Sequence, residues 1–216
     1  MTNFTIKVVS DTVCPWCYVG KRKLESGIKA YKAAHPESND TFAVEWSAFY
    51  LVPDASETGS PKNERLDRIY GPEKRKVMHA RLSEIGKEQD IDFKFGGLTG
   101  NTRNSHRVIQ LAKTKGAGVQ NGVVDALFRA YFENEQDITS KEVLRAAALK
   151  GGLEAAEVDD VLATDKFGEL VDQEVEEAKR NLITGVPHFT LNDKYEIGGA
   201  QDSEGFKRVF EKIKEM

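Results

Sequence analysis

The chain has 216 residues, 39% of them hydrophobic, which suffices for a core in one large domain or a domain carrying an insertion. Charged residues reach 31% but nearly cancel to a net −4, which leaves no electrostatic footprint for nucleic acid. No apolar run approaches the about 20 residues that span a bilayer, and Met1-Thr2-Asn3 leads into strand without the basic and apolar stretches of a secretory leader, so neither membrane nor export is expected.

Phe4 to Val9 reads as a strand, and it runs into Cys14-Pro15-Trp16-Cys17, which holds both cysteines of the chain. An apolar-periodic segment with Tyr18, Leu24, Ile28 and Tyr31 follows, so the pair falls at a strand-to-helix junction. Pro15 has no N–H and a pre-set φ, which opens a helix without loss. His35-Pro36 should end that helix near Ala34, because proline disfavours helical geometry before it. A second alternating run, Phe42, Val44 and Trp46 against Ala43, Glu45 and Ser47, completes a βαβ unit, half of a thioredoxin-like fold.

Pro53 to Ser60 is loop-like, and from about Lys62 to Thr164 the periodicity is helical. Gly71-Pro72 opens a helix bearing Val77, Met78, Leu82 and Ile85. Asn101 or Thr102 caps one bearing Val108, Ile109 and Leu111, with Gly116 at its end. Another carries Val119, Val123, Val124, Leu127 and Tyr131. Thr139 with Glu142 fits a capping box before Val143, Leu144 and Ala147, and Gly151-Gly152 closes that helix. A short helix around Val158, Val161 and Leu162 ends the block. A helix from Lys166 to Asn181 then presents Phe167, Leu170, Val171, Val175, Ala178 and Leu182. A strand starting at Pro187, a partner over Tyr195 to Ile197, a turn at Gly198-Gly199 and a helix with Phe206, Val209, Phe210 and Ile213 complete the chain. The expected fold class is α/β, a thioredoxin-like fold with a large inserted α-helical domain. Residues 1–60 and 165–216 form the discontinuous thioredoxin-like domain and 61–164 the insertion.

The spacing of the two cysteines sets the chemistry. The first turn of a helix carries unpaired N–H groups and the positive end of the dipole, so a thiolate is favoured there. Cys14 is expected as the exposed attacking sulfur, and Cys17, one turn on and facing inward, as the sulfur that resolves a mixed disulfide. Trp16 offers an apolar face for a substrate chain. A zinc half-site competes with this redox reading, but it needs two more ligands, and His35, His79, His106 and His188 show no ligand spacing, so no metal is expected. With both cysteines in the motif and none left for a structural bridge, a reducing, cytoplasmic compartment fits.

Cys14-Pro15-Trp16-Cys17 after the first strand, the large helical insertion and Gly185-Val186-Pro187 before the hairpin resemble the DsbA-like branch of the thioredoxin superfamily. Asp11 to Lys21, Asn101-Thr102 with Ser105-His106-Arg107, Ala130-Tyr131-Phe132 and Gly199-Ala200-Gln201 are similar to its FrnE-type group. The resemblance implies a cis Val186-Pro187 bond facing the sulfurs, where the Val186 backbone can pair with a substrate strand. Strongly oxidising relatives carry histidine where Trp16 stands, so a weaker oxidant, suited to reduction or isomerisation, is implied. Kappa-class glutathione transferases and 2-hydroxychromene-2-carboxylate isomerases share the inserted architecture. Glutathione is therefore a candidate co-substrate, docking at Val186 with Gln201 or Asp202 near its charged end.

Three accessory positions carry two readings each. Asp11 is a proton shuttle near Cys17 or a turn former. His106 faces the sulfurs or packs as an ordinary histidine. His188 lines the substrate groove or points into the sheet. The expected activity is a thiol–disulfide oxidoreductase acting on protein or small-molecule thiols and disulfides without a cofactor. The competing activities are a glutathione-dependent transferase or isomerase and a redox-sensing binding module. A homodimer is the assembly the resemblance raises.

Overall fold

The computed structural model describes residues 1–215. Strand β1 (Asn3–Ser10) leads into helix α1 (Pro15–Ala34), then strand β2 (Thr41–Ala48). Next come a two-residue strand β3 (Ser60–Pro61), α2 (Lys62–Tyr70), α3 (Pro72–Glu88), its partner β4 (Leu98–Thr99) and α4 (Arg103–Lys113). Helix α5 (Ala117–Phe128) continues into a π-turn at Arg129–Glu133, followed by α6 (Lys141–Lys150), α7 (Ala155–Ala163) and α8 (Gly168–Arg180). The chain closes with β5 (His188–Leu191), β6 (Tyr195–Gly198) and α9 (Ser203–Lys214).

The main sheet has the order β2-β1-β5-β6. β1 pairs parallel with β2 and antiparallel with β5, and β5 pairs antiparallel with β6. Because β1 is central, its whole apolar alternation is used: Phe4, Ile6 and Val8 are buried. Phe4 packs on Tyr31 of α1, Phe42 of β2 and Phe210 of α9, with ring centroids 5.3, 4.6 and 5.3 Å away. Helices α1 and α9 lie against each other. At Gly27 a side chain would come within 2.8 Å of Phe206 Cβ, so only glycine permits that approach. Between β5 and β6 the chain turns on Asn192 and Asp193, both left-handed at φ 48° and 52°, the conformation that suits a tight hairpin.

The outer edge of β2 is closed by side chains rather than by another strand. Gln120 of α5 accepts from the Trp46 N–H at 3.0 Å and donates to the Trp46 carbonyl at 2.9 Å, and Glu174 of α8 accepts from the Ala48 N–H at 2.8 Å. The buried faces of α4 to α7, among them Val108, Leu111, Val123, Leu127, Leu144 and Val158, join the sheet in a single hydrophobic cluster.

Several local expectations change. Ser140, not Thr139, caps α6. Its hydroxyl accepts from the Val143 N–H at 3.4 Å, while the Thr139 hydroxyl is taken by Asp137 at 2.7 Å. Gly116 does not end α4, which closes at Thr114; at φ 104° it precedes α5. Helix α8 starts at Gly168 rather than Lys166, because Phe167 is left-handed at φ 66°. Val77, Leu170 and Leu182 are exposed rather than core, Val77 by 69%. Val77 and Leu170 lie at the edge of their helices' apolar stripe, and Leu182 falls beyond the end of α8, left-handed at φ 57°.

Candidate active site

Cys14 is the N-cap of α1, with an extended backbone at φ −90° and ψ 111°, and Pro15 is the first helical residue. The Cys14 N–H donates to the Asp11 carbonyl at 3.1 Å, closing the turn that brings β1 into the helix. Its carbonyl accepts from the N–H groups of Cys17 at 3.1 Å and Tyr18 at 3.4 Å, so the helix begins at the motif. Both cysteines are free thiols.

The cis peptide bond Val186-Pro187 lies directly against this turn, and the Cys14 thiol donates to the Val186 carbonyl at 3.5 Å. Pro187 is held by the Gly199 N–H, which donates to its carbonyl at 2.8 Å. Its ring rests on α1 at Gly20, where a Cβ would be 2.9 Å from Pro187 Cγ and 3.1 Å from Phe189 Cζ. A strand-to-helix turn, a glycine on the helix and a proline loop thus converge on one sulfur.

Cys14 is only 3% exposed, which corrects the expectation of an exposed sulfur. Val13 and Val186 pack beside it as part of the apolar cluster. Trp16, 37% exposed, stands at the rim. Cys17 is fully buried and faces inward as expected. Burial pushes its thiol well above the ordinary value, and the hydrogen bond to Cys14 pushes the same way. The Ser10 side chain and the Asp11 backbone pull in the opposite direction.

Asp11 and His106 meet, although neither approaches the rim. Both are buried. The Asp11 carbonyl makes the turn onto Cys14, while its carboxylate accepts from the Leu51 N–H at 2.8 Å and lies 3.4 Å from His106 Nε2. His188 is half-buried in β5 opposite Val9 and Gly198, a strand position next to the proline. Gln201 is exposed, and its N–H donates to the Gly199 carbonyl at 3.0 Å. Ser10, in contact with Cys17, was missed from the sequence. It left a signal all the same: it is a polar residue in the Phe4, Ile6, Val8 alternation that points toward the core. Among the described residues no group of three or more His, Cys, Asp or Glu is placed to hold a metal ion, and no helix is long and apolar enough to cross a membrane.

A profile of the DSBA-like thioredoxin domain matches residues 5–211. The chain belongs to the DSBA-like thioredoxin domain family. The crystal structure of a probable DsbA oxidoreductase from Streptomyces coelicolor is similar to this DSBA-like chain, with a TM-score of 0.85 and 29% identity over 95% of this chain and 88% of that one. The uncharacterized protein YwbO of Bacillus subtilis is 28% identical over 210 residues, 96% of this chain and 94% of that one. The cytosolic disulfide reductase DsbM of Pseudomonas aeruginosa, solved with GSH, shares the fold at a TM-score of 0.65 and 14% identity over 98% of this chain and 100% of that one.

Proposed function

We propose that this DSBA-like protein is a cytoplasmic thiol–disulfide oxidoreductase of reductase or isomerase type, close to the FrnE-type group. The observation that carries it is the Cys14 thiol at the first turn of α1, 3.5 Å from the Val186 carbonyl, with the Cys17 thiol hydrogen-bonded behind it. The Cys14 thiolate attacks a substrate disulfide. The substrate S–S bond breaks, a Cys14–substrate bond forms, and one substrate thiolate leaves. Cys17 then loses its proton and attacks the Cys14 sulfur, which frees the second substrate thiol and closes Cys14–Cys17. Two electrons have passed from the dithiol to the substrate. In isomerisation the mixed disulfide is resolved by another substrate thiol instead, and the pair stays reduced. Two molecules of a small thiol such as glutathione return the oxidised pair to the dithiol, the first forming a mixed disulfide and the second releasing it as the small thiol's own disulfide, and no metal or organic cofactor takes part. Trp16 and the Val186 backbone line the approach, where the backbone groups offer partners to an extended substrate, and Gln201 lies beyond Gly199 for a small thiol's charged end.

Insulin reduction with a dithiol donor and reactivation of scrambled ribonuclease test this. Cys14→Ser should abolish both, and Cys17→Ser should trap mixed disulfides on Cys14. Failure of the unsubstituted protein in both assays, together with glutathione conjugation to an electrophile, would overturn it.

A further inference from the structure

Three consecutive cations follow the motif on α1, and the first two are matched by acids of the protein itself. Lys21 pairs with Glu25 and with Asp125 of α5, and Arg22 pairs with Glu25 at 3.0 Å and Asp125 at 2.8 Å. Lys23 makes no ion pair among the described residues. Half-buried, it donates from Nζ to the Ala200 carbonyl at 3.5 Å, a long contact that engages one of its three N–H groups. Its surroundings are those of the reacting sulfur. At helical spacing Trp16, Gly20, Lys23 and Gly27 fall on one stripe of α1. Trp16 stands at the rim, Gly20 lies under Pro187, and Gly27 abuts Ser203 and Phe206 at the start of α9, so Lys23 sits between the proline loop and that helix. Across the hairpin His188 faces Gly198 and the Gly199 N–H holds the Pro187 carbonyl, and the same register sets Ala200 opposite Val186. Facing residues of an antiparallel pair lie about 5 Å apart, and the Val186 carbonyl takes the Cys14 thiol. Asp202, the acid nearest to Ala200 in sequence, accepts instead from the Gly205 N–H at 2.6 Å and caps α9.

From this placement we infer that Lys23 is a specificity-determining residue, and that the site selects disulfides carrying a carboxylate close to the attacked sulfur. The carboxylate accepts from the ammonium N–H groups that Ala200 leaves free, while the disulfide lies along Val186 toward Cys14. A fixed cation beside the entry also raises the encounter rate of an anionic disulfide over that of a neutral one. In a chain of net charge −4, that local cation works against the repulsion an anion meets from the molecule as a whole.

The inference rests on the dithiol mechanism, and one experiment separates the two. The reduced protein is mixed with dithiobis-nitrobenzoate, which carries a carboxylate on each ring, or with dithiodipyridine, which carries none. Each reagent releases one chromophore when Cys14 attacks and a second when Cys17 resolves, and the ratio of the two first-phase rate constants measures the preference. Lys23→Gln, which keeps a donor for Ala200, should lower that ratio about threefold, the size of one partly exposed ion pair. Lys23→Arg should keep it, and so should Lys29→Gln, which removes a charge from an exposed position further along the helix. Raising the ionic strength from about 0.01 to 1 M, which shortens the screening length from about 30 to 3 Å, should lower the parental ratio in the same direction. Disulfide-linked peptides with glutamate or glutamine before the cysteine tell the source of the carboxylate: the same preference there extends the site to acidic segments of polypeptides, and its absence confines the site to small disulfides. An unchanged ratio in folded Lys23→Gln, or an equal fall in Lys29→Gln, overturns the role of Lys23. A parent that reacts at Cys14 without a second phase overturns the dithiol mechanism instead, and the first-phase ratio still decides on Lys23.

Discussion

At the scale of single residues, two side chains and one missing side chain govern the site. Gly20 has room for nothing larger, because Pro187 and Phe189 occupy the space of its Cβ. Gly20→Ala should push the proline loop off α1 and away from Cys14, at a cost of about 1–3 kcal/mol for an overpacked contact. The expected result is a lower melting temperature together with a larger loss of insulin reduction than the instability explains. The buried Cys17 thiol gives a second prediction. Its folded-state value lies above the ordinary 9.0, so above that pH the unfolded chain has released a proton that the folded chain retains. The unfolded state then binds fewer protons, and the stability of the reduced protein falls as pH rises from about 9 toward the folded value. Urea titrations under reducing conditions should show that decline, and Cys17→Ser should remove the thiol's share of it. The cysteine pair was legible because its chemistry is written in four adjacent residues, whereas the place of Pro187 came from the family resemblance. The pairing of Asp11 with His106 was not, since 95 positions separate them and no local period records which buried polar groups meet.

At the scale of elements, periodicity gave nearly every helix and all four strands of the main sheet, and failed at their ends. Ser140 and Thr139 both have a side chain able to cap, and the choice between them depends on Asp137 holding the Thr139 hydroxyl. Ser140→Ala should therefore cost about 1 kcal/mol in denaturant unfolding, the usual value for a lost N-cap. An unchanged midpoint would show that the contact carries no stability. The π-turn at Arg129–Glu133 went unread because one extra residue in a helix leaves Tyr131 and Phe132 as apolar as before and changes only which of them faces inward; here both do. The strands Ser60–Pro61 and Leu98–Thr99 are too short for any alternation to show.

Across the whole molecule, helices α3 to α7 bury their apolar faces in the same cluster as the sheet. Trp46 of β2 illustrates the join, since its indole N–H donates to Asn121 of α5 at 3.2 Å and its ring meets Phe128 edge-on at 6.2 Å. A core shared in this way predicts one cooperative transition. Trp fluorescence and far-ultraviolet circular dichroism should give the same denaturation midpoint; two separated midpoints would show that the helical block folds on its own. The fold class was readable because a βαβ start and a ββα end bracket a helical middle. The extent of shared packing was not, because composition does not say which apolar face meets which.

Gln120 offers its amide where the backbone of a neighbouring strand would otherwise lie, one oxygen and one nitrogen matched to one residue of β2. Closed at Trp46 and Ala48, that flank offers an incoming chain a shorter template. Gln120→Leu would strip both partners from Trp46, and the bared margin should make the protein self-associate with concentration in light scattering while its thiol chemistry stays intact.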